Sequence, residues 1–259
     1  IKSNLSAQNA VINICLRGIL EIFFTNLLKR YFKSKRENGH VARKKYVAGD
    51  FANKWIKLFG IGEKLSIKYD EEGLGATLRI HKNIEDSQGK LLSDEGYGIT
   101  QLVSILLQIE TAILSAKGEF ANGWFGIQCI DDYDYTEFHY EIKTICIEEP
   151  EIHLHPKYQS LLADMFVEAY QKYNIHFIIE THSEYLIRKL QTMVASKSNE
   201  LVSDEVSIYY IASNDECDGG DKVRKINIME DGRLSSPFGT GFFDEADNLA
   251  MELLNIKLG

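Results

Sequence analysis

Residues 145–156, ICIEEPEIHLHP, place three carboxylates (Glu148, Glu149 and Glu151) and two imidazoles (His153 and His155) directly behind an apolar run. Carboxylates this close repel one another and require a counter-charge. A glutamate that ends an apolar strand can hold Mg2+, often through water. A second glutamate beside it can orient a water and take its proton. Another apolar run, 175–180, stops just before His182. In an open parallel sheet, ligands gather at the carboxyl ends of the strands. His182 would then share a rim with the glutamates, where an imidazole can touch a phosphate oxygen. The chemistry implied is Mg2+ with a nucleotide phosphate. Other readings exist for each residue alone: paired glutamates at a strand end are often a solvated turn, and a lone histidine is often a hydrogen-bonded surface group. His153 and His155 beside glutamates also suggest zinc, but a third ligand at a familiar spacing and a His-Glu-x-x-His run are both missing. It is the ordered combination that favours the phosphate reading.

These residues need a frame. The run 141–147 predicts a buried strand, 157–173 a helix carrying Leu161, Leu162, Met165 and Phe166, and 175–180 a second strand. Strand, helix, strand in about forty residues signals a right-handed parallel βαβ unit. Upstream, Val11, Cys15, Ile19, Ile22 and Leu27 keep helical spacing within a helix predicted over 6–35. A second helix is predicted over 48–58, with Phe51, Trp55 and Leu58 on one face. KLSIKYD and GATLRIHK alternate as a strand pair, and the apolar run 99–114 predicts a buried helix just after Gly96 and Gly98. Residues 118–140 lack a clear period and are expected to be a loop or insertion. Past His182 come a helix over 184–195, paired strands in EVSIYYIA and KVRKINIM, a turn at Asp231-Gly232 and a short helix over 244–256.

Composition sets the limits. The chain has 259 residues, 44% hydrophobic and 26% charged, with a formal net charge of −9. That balance suits a globular protein and disfavours general adhesion to nucleic acid. Four widely spaced cysteines (Cys15, Cys129, Cys146 and Cys217) with no paired motif suggest free thiols in a reducing, cytoplasmic setting. The most apolar N-terminal run, 10–28, contains Arg17 and Glu21, which argues against a membrane span. The basic stretch 29–45 is ordinarily a solvated surface. Its alternative is contact of Lys33, Lys35, Arg36, Arg43, Lys44 and Lys45 with DNA or RNA phosphates, which would weaken steeply with salt.

ICIEEPEIHLHP followed by YQSLLADMF resembles the Walker B and D-loop region of ABC-type ATPases, nearest the branch of overcoming-lysogenization-defect, RecF-like and SMC-like proteins. IIETHSEYLIRKLQ resembles their switch-histidine segment, and DEGYGITQLVSILL the variant signature motif of one subgroup. The tail, with Ser236-Pro237 and Gly241-Phe242-Phe243, resembles that subgroup's small C-terminal module, with Ser where a Trp is usual. The resemblance spans roughly residues 48–258, and some members of the subgroup act in antiphage defence (Septu-type and retron-associated ATPases). It implies a P-loop-NTPase-like α/β head. Glu148 takes the Walker B acid position that holds Mg2+, Glu149 the catalytic base and His182 the switch histidine, with His153 and His155 in the D-loop. Gly96, Gly98, Thr100 and Gln101 take the signature element, which caps the γ-phosphate of a nucleotide held by the other protomer. The implied reaction is hydrolysis of ATP sandwiched in a homodimer.

The family also needs a phosphate loop, G-x-x-x-x-G-K-[ST]. The nearest run, GIGEKLS at 60–66, has its glycines too close together and leads toward a strand. The chain therefore resembles the second half of such an ATPase: a C-terminal fragment is the favoured expectation, and a split or degenerate subunit that borrows its phosphate loop is the alternative; under either, the chain alone is expected to bind ATP poorly and turn over little. The implied division is a helical lobe with the strand pair and signature over 1–118, a Walker B, D-loop and switch-histidine core over 119–200, and a small α+β module over 201–259. Two functions follow: an ATP-hydrolysing head, or a non-catalytic platform that assembles an effector nuclease or nucleic acid. No membrane partner is expected.

Overall fold

The computed structural model describes residues 46–47, 49–69, 76–116, 143–196, 201–212, 222–239 and 242–258. They divide into two compact units. The first holds the described residues up to Leu154 together with Glu168–Thr181; the second holds His155–Val167 and the described residues from His182 onward.

In the first unit, α1 (Asp50–Leu58) buries Phe51, Ala52, Trp55 and Ile56 on one stripe, the i, i+1, i+4, i+5 spacing that a helix face requires. Leu58, expected on that face, is exposed, and Phe59 just past the helix end is buried in its place. The predicted strand pair is present as β2 (Lys64–Tyr69) and β3 (Ala76–His81), antiparallel with Leu65 opposite Ile80. Two short strands extend it to four: β1 (Tyr46–Val47) beside β2, and β4 (Lys90–Leu91) beside β3. Ser66 and His81 are both fully buried in this sheet and bond to each other, Ser66 Oγ to His81 Nε2 at 2.7 Å. His81 Nδ1 lies 2.6 Å from the Asp86 carbonyl. A carbonyl can only accept, so Nδ1 carries a proton there.

The apolar run after Gly98 forms α2 (Tyr97–Ala116), two residues longer at each end than the predicted span. Leu102, Val103, Ile105, Leu106, Leu107, Ile109 and Ile113 are all buried, so this helix is covered nearly all round. Its one buried charge, Glu110, accepts from the Ala52 amide at 2.9 Å and serves the start of α1. Gly49 precedes α1 without a side chain, and a Cβ there would lie 1.7 Å from the Glu110 carboxylate. The carboxylate occupies the place that an N-cap side chain normally fills.

The strand–helix–strand run is also present. β5 (Lys143–Glu148) and β6 (Ile175–Glu180) are parallel, in register from Lys143 opposite Ile175 to Glu148 opposite Glu180, and α3 (Pro156–Tyr173) connects them. The expectation of a buried strand over 141–147 needs correction. Ile147 is buried, but Cys146 is exposed and Ile178 is 63% exposed. Alternation of side chains sends Thr144, Cys146 and Glu148, with His176, Ile178 and Glu180, to one face, and that face is open. Apolar composition alone does not say whether both faces are covered.

In the second unit, α4 (Glu184–Ala195) follows His182, and β7 (Ser207–Ile211) pairs antiparallel with β8 (Val223–Asn227). The turn after β8 bends at Gly232, whose carbonyl accepts from the Gln191 side chain on α4 at 2.7 Å. Phe238 packs against Tyr210, Phe242 and Phe243, and the Arg188 guanidinium lies 5.3 Å from the Phe243 ring. The phenylalanines of the Gly-Phe-Phe element thus anchor this module. α5 (Glu245–Leu258) ends it. The predicted helix over 6–35, the basic residues from Lys33 to Lys45 and the segment 118–140 lie outside the described residues.

Candidate active site

Glu148 is the last residue of β5 and is exposed; Glu149 is the first residue of the turn that follows and is half-buried. The turn is tightly built. Ile152 N donates to Glu149 O at 3.2 Å and Leu154 N to Glu151 O at 3.0 Å, with Pro150 and Glu151 buried. Glu149 and His153 have φ of 44° and 59°, left-handed values that cost a non-glycine residue about 1–3 kcal/mol each. Two neighbouring elements hold the turn. From β6, Glu180 O accepts from Glu149 N at 2.8 Å. From α2, Gln101 Nε2 donates to Glu149 O at 3.0 Å.

The start of α2 meets the far end of the same turn. Gly98 is buried, and a Cβ on it would lie 2.5 Å from the His153 carbonyl oxygen. Tyr97 meets the His153 ring edge to face, with centroids 4.9 Å apart. The sequence placed both glycines before the helix. In the structure Gly96 is the residue before it, with the Ile99 and Thr100 amides donating to its carbonyl, and Gly98 lies within the first turn. The Thr100 hydroxyl also points back to the Gly96 carbonyl, at 3.4 Å. Of the four signature residues, Gly98 and Gln101 therefore touch the Glu149–His153 turn of their own chain, whereas Gly96 is exposed and a Cβ there would meet nothing within 4 Å.

Register adds a residue that sequence reasoning missed. Glu180 is the Cα partner of Glu148, so two exposed carboxylates stand side by side on the open face at the carboxyl ends of β5 and β6. The signal was present, since both apolar runs end in Glu, but it needs the register to be read. Hard carboxylate oxygens at such a rim suit Mg2+, which takes one or two of them and fills its shell with water and phosphate oxygens. Among the described residues, no group of three His, Cys, Asp or Glu side chains is placed to hold a metal ion by itself.

The remaining candidates belong to the second unit. His155 precedes α3 as a cap: its Nδ1 accepts from Lys157 N at 3.2 Å, and Pro156 takes the first helical position. His182 is exposed. Ser183, not singled out from sequence, is buried and caps α4, accepting from Leu186 N at 3.1 Å and donating to Gln159 on α3 at 2.7 Å. A cap-type residue before a periodic apolar run was its signal. Residues 60–66 run straight into β2, where a phosphate loop would run into a helix.

A parallel strand pair joined by a helix, with acidic residues at the carboxyl ends, is an α/β unit of the kind that P-loop-NTPase-like proteins use. The model of the AAA ATPase domain family matches residues 8–187, most of the chain, and the chain belongs to that family. A second match, over 201–253, is to a protein family of unknown function, DUF3696, and covers the module after α4. No curated protein matched the chain. Family membership makes ATP binding and hydrolysis the class of chemistry, with ATP and Mg2+ in general use. No helix among the described residues is long and apolar enough to cross a membrane.

Proposed function

We propose that this chain supplies the acidic rim and the signature helix of an ATP-hydrolysing head of the ABC type, which works as a homodimer in DNA-linked or antiphage-defence processes. One observation carries the reading: Glu148 and Glu149 sit at the carboxyl end of a strand in a parallel pair, the second of them on a turn held from two sides. Glu149 accepts a proton from the attacking water. Glu148, with Glu180 beside it, would hold Mg2+, which would supply positive charge against the phosphates. His182 contacts the γ-phosphate. Gly96 and its neighbours at the start of α2 offer backbone amides to the nucleotide of the other protomer, as a helix start does for an anion.

Replacing Glu149 by Gln keeps the shape and removes the base. Turnover of ATP should fall by about 10²–10⁴-fold in the intact protein, while the ATP-bound dimer becomes longer-lived. Near-normal hydrolysis by Glu149→Gln would remove Glu149 from the role.

A second reading has its own support. α5 exposes Leu249, Met251, Leu253, Leu254 and Ile256, an apolar surface suited to a partner. On that reading the head is an assembly platform for an effector nuclease or nucleic acid. Turnover by the intact protein, with and without DNA, separates the two.

A further inference from the structure

We propose that Gln101 is a positioning residue for Glu149: its side-chain amide ties the main chain of the base to the start of α2. The inference rests on Glu149 being the base, and it assigns Gln101 to its own chain's turn rather than to the partner's nucleotide.

The bond spans 48 positions of sequence, from Gln101 Nε2 to Glu149 O at 3.0 Å. It is directed at the one residue of the turn whose side chain must point accurately. A left-handed Glu149 is held only by its surroundings, and both of its backbone groups are engaged. Its N–H donates to Glu180 O, and its carbonyl receives both Ile152 N and Gln101. Side-chain direction follows from backbone direction, so the Glu149 carboxylate is aimed by these bonds.

Gln101 does not act alone. Tyr97, Gly98 and Gln101 lie at i, i+1 and i+4, on one side of the first turns of α2. Tyr97 and Gly98 grip the turn at His153, and Gln101 grips it at Glu149. The helix start and the base-bearing turn thereby form one piece. An apolar residue would suffice at Gln101 if packing were the only need. A neutral donor of this length instead meets a carbonyl.

The test uses Gln101→Met, similar in length but without a donor, and Gln101→Glu, similar in shape with an acceptor facing the carbonyl. In the intact protein, both should lower kcat about tenfold or more while KM for ATP and ATP-driven dimerisation stay near wild type. Added to Glu149→Gln, Gln101→Met should cost little further, because the two act through one group. A raised KM with kcat kept is the signature of a contact to the partner's nucleotide and would overturn the proposal. So would wild-type kcat in Gln101→Met, or a full additional loss in the double variant. Hydrogen exchange of the Glu149–Leu154 amides without nucleotide supplies a readout independent of turnover: faster exchange in Gln101→Met is expected, and unchanged exchange counts against the proposal. Normal hydrolysis by Glu149→Gln alone would instead defeat the assignment of the base, leaving the exchange measurement to decide whether Gln101 holds the turn.

Discussion

Gly96 and Gly98 stand two residues apart and meet opposite surroundings. At Gly98 an added methyl would lie 2.5 Å from a main-chain oxygen, which no side-chain rotation can relieve. Alanine favours a helix by up to about 1 kcal/mol, but forcing the His153 carbonyl aside costs about 1–3 kcal/mol. Gly98→Ala should therefore lower Tm and turnover together, because the displaced turn carries Glu149. Gly96→Ala meets open space and should leave Tm nearly unchanged, within about 0.5 kcal/mol. If the helix start serves a partner's nucleotide, Gly96→Ala loses ATP-driven dimerisation or turnover with the fold intact. Thermal melts of the two variants decide the matter: a wild-type Tm for Gly98→Ala would mean the contact is slack. Sequence showed both glycines but not this difference, since the oxygen at Gly98 belongs to His153, 55 positions away.

Single elements were legible wherever a period survives in the local run. β2 and β3 lie where alternation placed them, and α3, β6 and α4 lie within a residue of the bounds expected from the sequence. What neighbours supply was not legible. Glu110 is the only charge in the run 99–114, and a lone charge in a buried helix needs a partner, yet its partner is the start of another helix. Glu110→Leu leaves the Ala52 amide of α1 without that acceptor and should cost about 1–3 kcal/mol. Glu110→Gln retains an oxygen acceptor and should cost about 1 kcal/mol or less. Denaturant midpoints measure both, and equal losses for the two variants would rule out a capping role. The covering of β5 failed for the same reason: its composition records a strand, whereas which face is covered depends on what packs there.

At the scale of the molecule, acid stability has a local handle. Glu168 on α3 receives Lys54 from α1 and Lys172 from one turn further along its own helix. Partial burial pushes its carboxyl up, and hydrogen bonds from Lys54 and then Lys172 more than offset that, so its pKa lies below the ordinary glutamate value of 4.5. A carboxyl whose folded pKa is depressed adds stability above its unfolded pKa and loses it as pH falls through the folded value. Glu168→Gln should therefore cost about 0.5–1 kcal/mol near pH 7, a modest figure because Lys54 and Lys172 are largely exposed. That difference should shrink below about pH 4.5, and melts across the acid range check it. A constant gap between variant and wild type from neutral to acid pH would show that the charge is not its source.

The in-register pairing of β5 with β6 also limits how the chain can change length. Side chains alternate, so inserting or deleting one residue inside either strand exchanges its two faces. Losing one residue from β6 would bring the Thr181 position opposite Glu148 and send Glu180 to the covered side with Ile147 and Ile175. The turn after β5 has no slack either, because Gly98 and Gln101 meet it at two fixed points. Natural insertions and engineered tags in this half of the chain belong before Lys143 or beyond α4; inside β5, β6 and the turn from Glu149 to Leu154, only substitution keeps the acidic rim in place.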